Sequence, residues 1–462
     1  MLRTLRELAS AAALCVLIAA CADSRDPVVA GPQLSVPAQA DLEATQGAKP
    51  LTSEFDAAVP IAYYQLSLDF SKTTGGFSPP VQARAFGYMG IALYEAVVGG
   101  MPDHRPIAAQ LNGIGALPQP KGLPYNWALV ANAALAEVMR GLWGDKTNHA
   151  ADNIAALNAL EAQLALQYSA GVPPGIAKLS SEFGREVGAA VFATSRDDGG
   201  DESYLTNSPT SYVPPTGPGL WVPTAPGQLA LQPFWAMRVA TLALSSADQC
   251  DAGAPPAYSE QPGSSFYEEA NLDYQLSKTL TSEQMTIARF WADGPGTISG
   301  PGHSLAIVNE VVGQQGANLA MAAEAYARAG IADADAVTGI WWAKYHYNLI
   351  RPVTYIRQVI DPTWTTLLPT PPFPEYVSAH SGQSAAVLAT LEALFGENVA
   401  FVDHAHDADG FAPRSFSRIF DAAVEAGISR LYAGIHFQSG NLNGRSLGRC
   451  VAAVVNSLPW RR

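Results

Sequence analysis

Charge is scarce in this chain, and several familiar catalytic signatures are missing altogether. Only 15% of its residues are Asp, Glu, Lys or Arg, and the balance is acidic, with a net charge of −14. An excess of that sign argues against a general affinity for nucleic acid or anionic lipid. There is no phosphate-cradling glycine loop, no dinucleotide fingerprint and no Cys/His set at zinc-ligand spacing. The stretch from Tyr376 to His380 lacks the glycines of a serine-hydrolase elbow, so Ser378 does not read as a nucleophile. Few segments alternate like strands. Past the first residues no apolar run approaches the ~20 needed to cross a bilayer, so the body reads as soluble.

Against so little charge, the region from Trp341 to Gly440 stands out. It carries Lys344, Arg351 and Arg430 together with Ser378, His380 and His436. The stretch VTGIWWAKYHYNLI reads as a helix on which Lys344 and Arg351, seven residues apart, share a face, with Pro352 stopping it. Ser378-Ala379-His380 opens the next helix, SGQSAAVLATLEALFG, whose free N–H groups attract anions. Two cations from one helix and the start of another suit a tetrahedral oxyanion the size of phosphate or vanadate. On an ideal helix Arg430 and His436 would lie about 240° apart, so a bend at or near Gly434 is needed to bring them together.

Lys344 and Arg351-Pro352, then Ser378-x-His380, then Ser429-Arg430 and His436 together resemble a known three-part signature. It is shared by vanadium-dependent haloperoxidases and type 2 phosphatidic acid phosphatases. The flanks FPEYVSAH, FWADGPGT and ARAFGYMGIALYEA are similar to the bacterial haloperoxidase branch, and the likeness runs over most of the chain beyond about residue 60. There are two departures. Ala379 stands where the family usually has Gly, and Gly440 stands where it often has an Asp four residues after the last His. A carboxylate orienting His436 is then missing or comes from elsewhere.

The resemblance implies an all-α fold and a vanadate cofactor bonded through His436. Lys344, Arg351, Ser378, Arg430 and the N–H of Ala379 would bind its oxygens, and His380 would act as acid–base catalyst. Trp341 and Phe373 match aromatic positions on the halide side of the pocket, with core packing as the competing role. Asp293 could pair with one of the arginines, and His303, His346, His404 and His406 have no assigned role. The expected partners are hydrogen peroxide, halide and a small organic acceptor. Two alternatives fit the same pocket: an acid phosphatase working through a phospho-histidine, and a non-catalytic oxyanion-binding protein.

At the start, Arg3, Arg6, the apolar run Ala9 to Ala20 and LIAAC before Cys21 read as a lipoprotein signal over residues 1–21. Cys21 would be acylated and anchor the chain at the periplasmic face of the outer membrane, with an ordinary signal peptide and an incidental cysteine as the alternative. Residues 22–52 read as a flexible tether, and 53–462 as one helical domain. Helical periodicity covers Ser78 to Val98, Asn126 to Trp143, Ala150 to Tyr168, Pro174 to Thr194 and His303 to Ala329. Thr281 and Gln284 form a capping box. Ten prolines from Pro209 to Pro262 predict a long irregular segment, either over the pocket mouth or wrapped around helical layers. Cys250 and Cys450 could pair or remain free thiols.

Overall fold

The computed structural model describes residues 49–144, 146–225 and 227–462, which belong to one compact unit. The signal, Cys21 and most of the tether lie outside the described residues. Helices dominate, as the periodicity predicts. In chain order they are α1 (Ala58–Thr73), α2 (Pro79–Val97), α3 (Trp127–Gly144), α4 (Ala150–Ser169), α5 (Pro174–Asp197), the single turn α6 (Trp235–Arg238) and α7 (Ser265–Ser277). There follow α8 (Ser282–Phe290), α9 (Gly300–Gln314), α10 (Leu319–Tyr347), α11 (Pro352–Val359), α12 (Ala379–Phe395), α13 (Ile419–Tyr432) and α14 (Gln438–Ser457). A two-stranded antiparallel ribbon, β1 (Phe401–Asp403) with β2 (Arg414–Phe416), pairs Phe401 with Phe416 and Asp403 with Arg414.

The axis of the molecule is α10, 29 residues long and buried on nearly all sides along its alanine-rich length. A helix without a polar face needs neighbours all round, and α2 and α12 supply them. Small residues let α2 and α10 cross closely: a Cβ at Gly90 would stand 2.6 Å from the carbonyl oxygen of Tyr326. The helix α12 is sandwiched in turn by α9, α13 and α14.

Two helix boundaries differ from the sequence expectation. The run from His303 to Ala329 is two helices, broken at residues 315–318, where Gly316 takes φ +61° and the Asn318 side chain accepts from the Met321 N–H to cap α10. Periodicity continues across the break because both helices are buried. Lys344 and Arg351 likewise do not share a helix. Asn348, at φ 46° and ψ 41°, ends α10 in the left-handed conformation that Asn tolerates, and Arg351 is the extended N-cap of α11. Pro352 therefore opens a helix instead of stopping one, the first-turn position where its missing N–H costs nothing.

The proline-rich segment is irregular apart from α6, as expected. It runs along the C-terminal end of α10. The Trp221 N–H donates to the Asn348 carbonyl at 2.7 Å and the Leu231 N–H to that of Pro372 at 2.9 Å, while the Leu231 carbonyl accepts from Trp341 Nε1 and the Tyr345 hydroxyl. Cys250 at its far end forms a disulfide with Cys450 of α14, with Cα atoms 5.7 Å apart.

Candidate oxyanion site

Four elements meet at the site: the end of α10, the start of α11, the loop 371–378 leading into α12, and the turn between α13 and α14. That turn resolves the geometric problem at Arg430 and His436. The helix α13 stops at Tyr432, and Gly434 takes φ +72°, a conformation that costs other residues. The Ile435 N–H folds back onto the Arg430 carbonyl at 3.2 Å. His436 thus leaves the helical path and joins Arg430 at one site.

His436 is held at both ring nitrogens. Nδ1 lies 2.8 Å from Glu375 Oε1, and Arg351 Nη1 lies 3.1 Å from Nε2. A guanidinium only donates, so the network assigns the proton to Nδ1 and a lone pair to Nε2. Burial and the charges of Arg351, Lys344 and Arg430 push the imidazole well below its ordinary pKa, which keeps that lone pair unprotonated. The sequence left open where an orienting carboxylate would come from, and the structure supplies Glu375, whose Oε1 also accepts from the Phe437 N–H at 3.0 Å. Gly440 makes room for it: a Cβ there would sit 2.3 Å from that oxygen.

Around this ring the cations are buried. Lys344 and Arg351 are fully covered and Arg430 is 2% exposed. Burial is the main force lowering their pKa values, taking both arginines to about 10 and Lys344 well below the usual range. Lys344 donates to the carbonyls of Pro374, Glu375 and Val377 at 3.1, 3.0 and 2.6 Å, so it organises the loop as well as charging the pocket. Arg351 donates to the carbonyls of Phe373 and Ile435, which leaves its Nη2 buried without a hydrogen-bond partner. The Ser378 hydroxyl is buried without a partner too and makes no cap bond, although Ser378 is the N-cap of α12. Ala379 lies in the helix proper, so replacing the family's Gly imposes no backbone strain. Trp341 and Phe373 are in contact, ring centroids 5.2 Å apart, and Phe373 covers Lys344 and Arg351 at 4.9 and 5.0 Å.

His380 has a different partner. Its Nε2 lies 2.9 Å from Oδ2 of Asp293, so Asp293 serves histidines and not the arginine partner expected of it. Burial and then the charge of Arg430, opposed by Asp293, lower the His380 pKa to about 4, so the ring is neutral in ordinary buffers. Asp293 also meets His303 and His406, two residues to which sequence reasoning gave no role. No local signal marks the contacts that join His303 to Asp403 and His406 to Asp293, which span 100 and 113 residues.

Residues 324–458 match the family model of the vanadium chloroperoxidase second helical-bundle domain. Among solved structures, the first bacterial vanadium-dependent iodoperoxidase is 32% identical, with 86% of this chain and 95% of that chain covered and a TM-score of 0.78. The holo form of a bacterial vanadium-dependent chloroperoxidase shares the fold at 15% identity, covering 84% of this chain and 93% of its own, with a TM-score of 0.62. No curated protein matches the chain.

Proposed function

The chain belongs to the family of vanadium-dependent haloperoxidases, and on that premise we propose that it oxidises halide with hydrogen peroxide at a vanadate held by His436. One observation carries the reading to this pocket: two buried donors, Arg351 Nη2 and the Ser378 hydroxyl, lack a partner, while the unprotonated His436 Nε2 accepts from Arg351 Nη1. Unpaired buried donors and cations cost several kcal/mol unless an anion compensates them. The donor set therefore fits vanadate: one imidazole nitrogen for the metal, and hydroxyl and guanidinium groups for its oxygens.

Bound vanadate would supply Lewis-acid activation of peroxide toward halide without changing oxidation state. The chain's own residues do the rest. Glu375 fixes the His436 tautomer and so keeps Nε2 available to the metal. Arg351, Arg430 and Lys344 stabilise negative charge on oxygen in a site with little water to screen it. His380 holds its proton on Nε2 against Asp293, which leaves Nδ1 to accept the proton released by peroxide. Its side chain is 18% exposed, enough to return that proton to solvent. Trp341 spends its indole N–H on the Leu231 carbonyl, so with Phe373 it offers halide an apolar wall.

The test is vanadate dependence. Stripped protein should be inactive toward iodide, bromide and chloride, and orthovanadate should restore turnover. The acid-phosphatase alternative requires the opposite, vanadate as inhibitor. His436→Ala should lose vanadate binding and activity together. His380→Ala should keep binding while kcat falls about 10²–10⁴-fold. Vanadate-independent halide oxidation would refute the assignment.

Anchoring through an acylated Cys21 belongs to the same proposal and is supported by the sequence of residues 1–21. Among the described residues no helix is long and apolar enough to cross a membrane. Cys21→Ser should move the protein from the membrane fraction to the soluble one, and an unchanged distribution would count against acylation.

A further inference from the structure

Behind His380 lies a cluster that the mechanism above does not use. The Asp293 carboxylate is fully buried and accepts from His303 Nδ1 at 3.0 Å and His406 Nε2 at 2.9 Å on Oδ1, while Oδ2 faces His380. The outer nitrogens of those two rings face further carboxylates: His303 Nε2 lies 2.9 Å from Asp403, and His406 Nδ1 lies 2.7 Å from Asp409. Each ring is therefore held between two carboxylates. A neutral imidazole has one donor and one acceptor nitrogen, and its lone pair would repel the second carboxylate. A ring with two N–H donors satisfies both. Trp291 stacks on His303 with centroids 4.1 Å apart, a contact that favours a cationic ring.

We propose that His303 and His406 are positioning residues for halide oxidation: as two imidazolium cations they keep Asp293 ionised and in place, and Asp293 fixes the tautomer of His380. The inference rests on the haloperoxidase reading for its catalytic consequence and on geometry for the charge state. The charged surroundings of His303 and Asp293 agree with it. Burial alone would lower the His303 pKa, but Asp293 and Asp403 raise it to about 10, and Asp293 is held well below the ordinary carboxylate range against its own burial. Other titratable groups facing the cluster are Glu310, pushed up to about 8 by burial and then by Asp403, and Asp407. Arg430 faces Asp293 from the pocket side. A rival occupant is a divalent metal, since ligand atoms of Asp293, His303 and His406 lie within 4.8 Å of one another.

Two measurements on the full chain decide the matter. In ¹⁵N-histidine spectra at pH 7.5, both ring nitrogens of His303 and His406 should be protonated, with the signals assigned by their loss in His303→Gln and His406→Gln. Neutral rings, or stoichiometric zinc that disappears in either variant, would overturn the proposal. The second measurement follows iodide oxidation by vanadate-loaded His406→Gln and by the milder Asp409→Asn, whose side chain is 23% exposed and tolerates change. Both should lower kcat, by about tenfold or more for His406→Gln. The vanadate Kd should hold, and the acid limb of the pH–rate profile should move. Unaltered kcat and pH limb in both variants would overturn the positioning role. A wild type that oxidises no halide would instead defeat the haloperoxidase reading, with the spectra still deciding the charge state.

Discussion

Glu375 shows how a single side chain can be decisive and yet silent in the sequence. It sits in FPEYVSAH, three residues before Ser378, where nothing local marks it as the partner of a histidine 61 residues later. Lys344, Arg351, Arg430, His380 and His436 were legible because their types and spacings form a pattern. Glu375, Asp293, His303 and His406 were not, because their roles exist only once distant elements meet. Burial, opposed by Arg351 and Lys344, raises the Glu375 pKa to about 7. A carboxyl raised in the folded state binds a proton there that the unfolded chain has already released. Its stabilising contribution is present below the ordinary pKa of 4.5 and is lost as pH rises through 7. Without vanadate, wild type should therefore lose stability relative to Glu375→Gln across that window. Urea unfolding of both proteins at several pH values measures it, and a flat difference would place the titration elsewhere.

At the scale of elements, the sequence located most helices to within a few residues and misjudged how they join. Periodicity reports a buried face but not a break between two buried helices, and it missed the left-handed Asn348 that separates Lys344 from Arg351. Requiring a bend near Gly434 was correct, since six residues of ideal helix cannot bring Arg430 and His436 together. The joint between α12 and α14 offers a sharper test. Gly440→Ala should drive Glu375 off His436 and cost about 10- to 100-fold in vanadate affinity, the usual range for an orienting carboxylate. Gly440→Asp combined with Glu375→Ala puts a carboxylate back in the same space and should recover much of that loss. Titration of vanadate binding in the single and double variants checks both statements, and unaltered affinity in Gly440→Ala would remove Glu375 from the orienting role.

For the whole molecule, the catalytic groups crowd into the last third of the chain, while the earlier helices bury α10 and the proline-rich segment closes over its end. Whether Cys250 and Cys450 pair could not be read from the sequence, because nothing in 200 residues of separation predicts proximity. In a chain-entropy account, a loop that long makes the bond worth about 5 kcal/mol. Cys250→Ser should therefore lower the unfolding midpoint clearly, and an unchanged midpoint would make the bond incidental.

That bond also bears on the bench. A preparation in which dithiothreitol reduces that bond has its proline-rich strap untied from α14, and carry-over thiol consumes the peroxide that the assay supplies. Low turnover from such a sample would report the buffer and not the pocket. Protein oxidised during expression and assayed in thiol-free buffer should be several-fold more active than the same protein reduced and then desalted, even at saturating vanadate.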